Sequence, residues 1–289
     1  MTVGEALEWG RRLLQEAGQP AQEAGRDVQV LLGHVLAVER AALYAHPERE
    51  LTATEWQRLA ALLERRQRGE PVAYLLGHKE FFGLDLLVDR RVLIPRPETE
   101  LLVEEVLAEA RKRLRREEVP IVADIGTGSG AIVVALAVSE PRLPYLYACD
   151  SSAAALEVAQ LNCQRHGVGQ RVRLLLGDLA EPLPEPVDLL VANLPYVGTE
   201  ERELLAPDVR DFEPAEALFA GPQGLALLER LLRQLHERPV LKERAMVFLE
   251  IGYRQREALE GLARRLWPGL RLTCRRDYAG QERFLILAF

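Results

Sequence analysis

Up to about Arg68 the apolar positions recur at helical spacing: Leu7, Leu13 and Leu14, then Val28, Leu31, Leu32, Val35 and Leu36. A third helix is predicted to start after Thr52. Its hydroxyl can accept from the first turn, and Glu55 stands three residues on, as a capping box requires. The apolar face of that helix is Trp56, Leu59, Leu62 and Leu63, and Gly69-Glu70-Pro71 ends the helical stretch. The pattern then changes. Residues 81–88 and 91–94 are short apolar runs on either side of Asp89-Arg90, which predicts a β-hairpin turning at those two residues. Pro95-Arg96-Pro97 breaks the chain before a helix over residues 98–116.

From Pro120 onward strands and helices alternate. Strands are predicted at 121–123, 145–149, 172–176, 187–192, 245–251, 270–274 and 284–289, and helices at 131–138, 153–164, 225–235 and 255–266. Continuous apolar strands between helices need cover on both faces, so the expected fold class is α/β, a doubly wound, mostly parallel sheet. The last two strands, with no helix between them, are expected as an antiparallel hairpin at its edge. A small helical bundle precedes the sheet. The expected division is residues 1–75 helical, 76–97 a β-hairpin linker, and 98–289 the α/β domain.

Composition narrows the classes. The 289 residues are 48% hydrophobic and 28% charged, with a net charge of −7, which disfavours a nonspecific hold on a polyanion. No stable nucleic-acid partner is therefore expected. Lysine occurs only at Lys79, Lys112 and Lys242, so arginine carries the positive charge; this reads as codon bias or heat adaptation before it reads as phosphate recognition. Cys149, Cys163 and Cys274 lack Cys-x-x-Cys spacing and the five histidines are scattered, which predicts reduced thiols and no metal site. The start of the chain lacks a basic-then-apolar leader and no stretch is long enough to span a bilayer, so a cytoplasmic protein without membrane contact is expected. A monomer is expected too, though nothing in the sequence fixes the oligomeric state.

Two segments carry candidate chemistry. Asp124-Ile125-Gly126-Thr127-Gly128-Ser129-Gly130 follows a buried strand and opens a helix, and its glycines allow a sharp bend and close approach to a nucleotide-like ligand. Asp150 ends the next strand, where a carboxylate can accept from two ribose hydroxyls. Asp178, after the third strand, is placed either to accept from an adenine amine or to cap a turn; Asp124 either binds a cofactor amino group or caps its loop. Gly126, Gly128 and Ala131 also satisfy a dinucleotide fingerprint, so a nicotinamide oxidoreductase is a rival reading. The second segment, Asn193-Leu194-Pro195-Tyr196, stands at the carboxyl end of a buried strand. Asn193 offers an amide oxygen, Leu194 a carbonyl whose direction is restricted by Pro195, and Tyr196 an aromatic face. Two fixed acceptors and a flat ring suit a planar NH₂ group, so the pair of segments predicts methyl delivery to an amino or amide nitrogen. Asn193, Pro195 and Tyr196 are the candidate catalytic residues, and no Glu, His or Lys base is nominated.

Several blocks together resemble one family. Gly69-Glu70-Pro71, Ile94-Pro95-Arg96-Pro97-Glu98-Thr99-Glu100, the glycine turn and Asn193–Tyr196 are similar to the peptide-chain release factor glutamine N5-methyltransferases of the HemK/PrmC type. So are the stretches 218–225, 249–253 and 276–283, so the likeness runs nearly the whole length. The resemblance implies a class I S-adenosylmethionine-dependent methyltransferase fold. It implies S-adenosyl-L-methionine as donor and the glutamine of a release factor's Gly-Gly-Gln loop as acceptor. By that likeness Gly126, Thr127, Gly128, Ser129 and Gly130 cradle the methionine part, Asp150 holds the ribose and Leu179 lies at the adenine, beside Asp178. Asn193, Leu194, Pro195 and Tyr196 grip the glutamine amide, with Arg96 lining the pocket. The family usually has Asn-Pro-Pro-Tyr, whereas Leu194 replaces the first proline here. Asn-Leu-Pro-Tyr also resembles ribosomal-RNA adenine dimethyltransferases, so an adenine N6 methyltransferase acting on RNA or DNA is the alternative. Gln223 stands where the family often has aspartate.

Overall fold

A computed structural model describes all 289 residues, and the chain separates into two compact units. The first comprises Met1–His78 together with Ala206–Phe212, and the second Lys79–Leu205 together with Glu213–Phe289.

The first unit is helical: α1 (Val3–Glu16), α2 (Ala21–Leu36), α3 (Arg40–Ala45), α4 (Ala53–Gln67), α5 (Val72–Leu76) and the later segment α9 (Pro207–Phe212). Thr52 and Glu55 form the expected capping box at the start of α4, each satisfying a backbone N–H of the other's turn. The apolar faces close on one core that includes Val28, Leu31, Leu32, Leu59 and Leu63, with Trp9 and Trp56 edge to face at 4.7 Å. Among the buried residues of this unit Arg66 is the one cation, and it pairs with Asp27 at 2.7 Å.

The second unit begins with β1 (His78–Phe81, its first residue belonging to the helical unit) and β2 (Leu84–Leu87), a two-stranded sheet. The hairpin therefore turns at Phe82-Gly83 and not at Asp89-Arg90. Both turn residues have left-handed φ, 53° and 74°, the geometry that matches strand twist in a two-residue connection. Asp89 instead accepts from the N–H and guanidinium of Arg91, and residues 91–94 form no strand. Then follow α6 (Pro97–Leu114), β3 (Val122–Ile125), α7 (Ala131–Ser139), β4 (Leu146–Asp150), α8 (Ala153–Arg165), β5 (Val172–Leu176) and β6 (Val187–Ala192). After β6 come the short α10 (Ala215–Leu218), then α11 (Ala226–Glu237), β7 (Leu241–Glu250), α12 (Arg256–Leu266), β8 (Arg271–Arg276) and β9 (Glu282–Ala288).

The strand order is β5-β4-β3-β6-β7-β9-β8, parallel from β5 to β7 and antiparallel for β9 and β8. The expected edge hairpin is present, with the final strand β9 inserted between β7 and β8. Alternate residues of each strand feed opposite cores. Val122, Leu146, Leu189, Val191 and Phe248 pack with α6, α7 and α8, while Ala123, Tyr147, Leu190 and Leu249 pack with α11 and α12. No helix is long and apolar enough to cross a membrane.

Within the helical unit, Gly10 of α1 sits where an added Cβ would lie 2.8 Å from Val28 Cγ1 and 3.0 Å from Leu63 Cδ1. Val28 is β-branched and buried, so it cannot swing away. Overpacking therefore outweighs alanine's better helix propensity, and Gly10→Ala should lose about 1–3 kcal/mol. Urea titration checks this, and an unchanged or raised midpoint would show that the three helices can part at that point.

Candidate functional site

Parallel register lines up four residues from distant parts of the chain. Ile125 of β3 pairs with Cys149 of β4 on one side and Ala192 of β6 on the other, and Ala192 pairs with Leu249 of β7. The next residue on each strand is Asp150, Gly126, Asn193 and Glu250, so these form one row across the carboxyl end of the sheet. Chain order reverses here between β3 and β6, the place where open α/β sheets bind ligands.

The glycine turn is built from this row. Gly126 and Thr127 donate to Cys149 O at 2.8 and 3.0 Å, and Gly128 N–H donates to Asp150 Oδ2 at 2.8 Å. Asp150 Oδ1 accepts from Ser152 N–H at 2.9 Å. Gly126 must be glycine: its φ is 73°, and a Cβ would lie 2.7 Å from Leu194 Cδ2. Gly128 has φ 55° with open space around its missing Cβ, so bare backbone faces the cavity. Asn162, wholly buried on α8, exchanges hydrogen bonds with Leu87 N–H and C=O and donates to Ser129 O at 2.8 Å, tying the hairpin to the turn.

Asp124 is 0% exposed and accepts from Thr127 Oγ1 at 2.7 Å, while its Oδ1 has no partner. It lies behind the turn and caps it. Burial, only partly opposed by Thr127, pushes its pKa up to about 7.

On the other side of Gly126 stands the Asn193 turn. Asn193 Nδ2 donates to Thr99 Oγ1 at 3.0 Å, and Thr99 Oγ1 donates to Glu250 Oε2 at 2.7 Å. Tyr196 OH donates to Glu250 Oε1 at 3.2 Å. Glu250 is 1% exposed, and burial, opposed by Thr99 and Arg283, raises its pKa to about 7. The Tyr196 hydroxyl is held above its ordinary pKa by burial and by the neighbouring carboxylate. Gln255 locks the turn from below, donating to Tyr196 O at 2.9 Å and Gln223 O at 2.8 Å while accepting from Gly252 N–H at 2.7 Å. Gln223 enters this clamp through its backbone, so its departure from the family's aspartate leaves the clamp intact.

A cavity of roughly 1060 Å³, counting its open mouth, runs along the row. Among its walls are Arg96, Gly126, Thr127, Gly128, Ser129, Asp150, Asp178, Leu179, Asn193, Leu194 and Pro195. Two expected residues are outside the wall. Gly130 caps α7 at φ 80° and lets Ala159 of α8 approach, an added Cβ lying 3.2 Å from Ala159 Cβ. Tyr196 is half-buried, anchored at its hydroxyl and its carbonyl. Asp178 turns toward α11, paired with Arg230 and accepting from Gln234 at 3.3 Å, and Leu179 reaches the cavity from a left-handed φ of 51°. Arg96 pairs with the buried Glu213 at 2.5 Å.

Thr99, Asn162, Glu250 and Gln255 were assigned no role from sequence. The available signal was a glutamate ending the apolar run 245–249, and an asparagine on the buried face of α8. Among groups of His, Cys, Asp and Glu, none could hold a metal ion.

Residues 5–77 match the PrmC N-terminal domain family and residues 97–208 the methyltransferase small domain family. A release factor glutamine methyltransferase of Koribacter versatilis is 41% identical over 256 residues, covering 88% of this chain and 87% of the relative. The protein of that name from Bordetella pertussis is 44% identical over 277 residues, covering 94% and 96%. Among solved structures, the N-terminal domain of human METTL16 in complex with SAH superposes with a TM-score of 0.52 at 17% identity, covering 72% of this chain and 76% of that one, which is a likeness of fold.

The buried Asp124 gives a pH dependence with a definite sign. Its folded pKa lies above that of an unfolded aspartate, so its contribution favours the folded state at low pH and is lost as pH rises from about 4 to about 7. Asp124→Asn removes that slope. The melting temperature of the variant relative to wild type should therefore improve between roughly pH 5 and pH 8, and a difference constant across that range would contradict the assignment.

Proposed function

The chain belongs to the release factor glutamine methyltransferase family, and from that membership we infer that it transfers a methyl group to the side-chain amide nitrogen of a release-factor glutamine. The acceptor is proposed to be the glutamine of the Gly-Gly-Gln loop and the donor S-adenosyl-L-methionine. The cavity residues fit that donor. Gly126 and Gly128 offer a backbone cradle free of side chains, and Asp150 keeps unused lone pairs on both oxygens for ribose hydroxyls. Asp150 also places negative charge on the wall facing a sulfonium, whereas the Asp178 carboxylate is engaged by Arg230. When bound, the donor supplies an electrophilic methyl carbon.

The observation that carries the reading is the Asn193 carboxamide. One N–H of its nitrogen goes to Thr99, and no donor of the protein reaches its oxygen, which is left to accept from a substrate N–H at the cavity. We assign the Leu194 carbonyl as the second acceptor; Tyr196, outside the cavity wall and anchored at its hydroxyl and carbonyl, is proposed to brace the turn that presents it. Two acceptors on one NH₂ would hold the nitrogen in place and raise its electron density; the one proton that methylation releases would pass to solvent, since neither amide oxygen is a base. Alignment of this kind can supply roughly 7–11 kcal/mol. Arg96 is assigned to the acceptor side of the cavity. The helical unit is proposed to hold the body of the release factor, with the work done by a single chain in the cytoplasm.

Incubation with methyl-labelled S-adenosylmethionine, a release factor and ribosomal RNA tests the reading by peptide mass mapping. One methyl on the Gly-Gly-Gln glutamine is expected, and label confined to RNA would replace this function with adenine methylation. Asn193→Ala should lower turnover about tenfold while leaving donor affinity near wild type, because it removes an acceptor from the amide alone. Asp150→Ala should act in the opposite sense, weakening donor binding first; an unchanged donor Kd would remove Asp150 from the ribose.

A further inference from the structure

A carboxamide has nearly the same shape either way round, so Asn193 serves the reading above only if something dictates that its oxygen faces the substrate. The dictating groups lie behind it. Glu250 closes β7 on the face covered by α6, almost fully buried, and an ionised carboxylate can only accept. Thr99 Oγ1 is 2.7 Å from Glu250 Oε2, and its single proton is spent there. Thr99 then has only lone pairs to offer Asn193, whose Nδ2 is 3.0 Å away. The proton of Tyr196 goes to the other carboxylate oxygen at 3.2 Å.

We propose that Thr99 and Glu250 are positioning residues that set the direction of the Asn193 carboxamide, so that the glutamine NH₂ meets an acceptor there and not a donor. The proposal rests on the glutamine methyltransferase reading and adds the relay that makes Asn193 selective for a donor group. The reverse state shows what is at stake. A protonated Glu250 donating to Thr99 turns the Thr99 proton toward Asn193, whose oxygen must then rotate inward, leaving NH₂ against NH₂ at the substrate.

The charge on Glu250 is set by what faces it. Thr99 and Glu98 approach from α6, Tyr196 from the turn after β6, and Arg283 from β9, itself held by Asp277 at 3.1 Å. Arg283, Thr99 and Tyr196 favour the carboxylate, Glu98 and above all burial oppose it, and the group titrates at about 7. Turnover should accordingly rise with pH through that value.

The test pairs kinetics with a readout that needs no methyl acceptor. In protein isotope-labelled at asparagine side-chain nitrogens, the Asn193 NH₂ resonances should titrate with a midpoint near 7 in wild type and stay fixed in Glu250→Gln. Thr99→Val should lower kcat about tenfold, the scale of one misplaced hydrogen bond, with donor Kd and release-factor KM within about twofold of wild type. Thr99→Ser, which keeps the hydroxyl, should restore kcat. An Asn193 signal that does not move with pH, or a Thr99→Val enzyme with wild-type kcat, overturns the relay. Wild-type protein whose Asn193 titrates but which leaves release-factor glutamine unmethylated supports the relay and removes instead the function it was assigned to serve.

Discussion

Parallel strand register is the constraint on which the site depends. Hydrogen bonding between β4, β3, β6 and β7 fixes Cys149, Ile125, Ala192 and Leu249 side by side, and so fixes Asp150, Gly126, Asn193 and Glu250 as neighbours although 124 positions separate Gly126 from Glu250 in sequence.

 A slip of one residue in any of these strands would turn its contribution to the opposite face of the sheet, because side chains alternate with period two. The apolar alternation that feeds the two cores is therefore also what aims Asn193 and Glu250 toward α6, where Thr99 waits. Core packing and site geometry are one specification.

The cost of that arrangement sits in two buried carboxylates on the same face of the sheet. Asp124 and Glu250 are both sealed from water, and both titrate near 7. They are served differently. Asp124 has the Thr127 hydroxyl and one oxygen with no partner, and an unmade hydrogen bond of that kind costs about 1–3 kcal/mol. Glu250 has a hydroxyl on each oxygen, from Thr99 and Tyr196, with Arg283 nearby. One carboxylate braces the glycine turn proposed to cradle the donor, and the other braces the Asn193 turn proposed to meet the acceptor.

Much of this was legible in the sequence because it is local. The strands at 172–176 and 187–192 fall where their apolar runs placed them, and the Thr52–Glu55 cap needed only spacing. The hairpin was misplaced because Asp89-Arg90 carried the polar signal, whereas Phe82-Gly83 turns through backbone geometry that an aromatic residue does not advertise. Thr99, Asn162, Glu250 and Gln255 escaped notice for a different reason. Each acts on a residue tens of positions away, and nothing in a single chain's periodicity reports which buried polar group will meet which.

Leu194 shows how the row tolerates its departure from the family's proline. Its side chain is 3% exposed and packs against Gly126, filling the space that a Cβ there would take. The absence of a side chain at Gly126 thus serves two ends, a left-handed bend at the cavity wall and a seat for Leu194. Pro195 still follows, so the residue before it keeps its restriction to extended backbone whichever side chain it carries. The aliphatic chain joins the core shared with α11 and α12 while its carbonyl remains on the turn. The substitution therefore trades ring rigidity for burial at a position where the neighbouring glycine, the Gln255 clamp and Pro195 already hold the backbone in place.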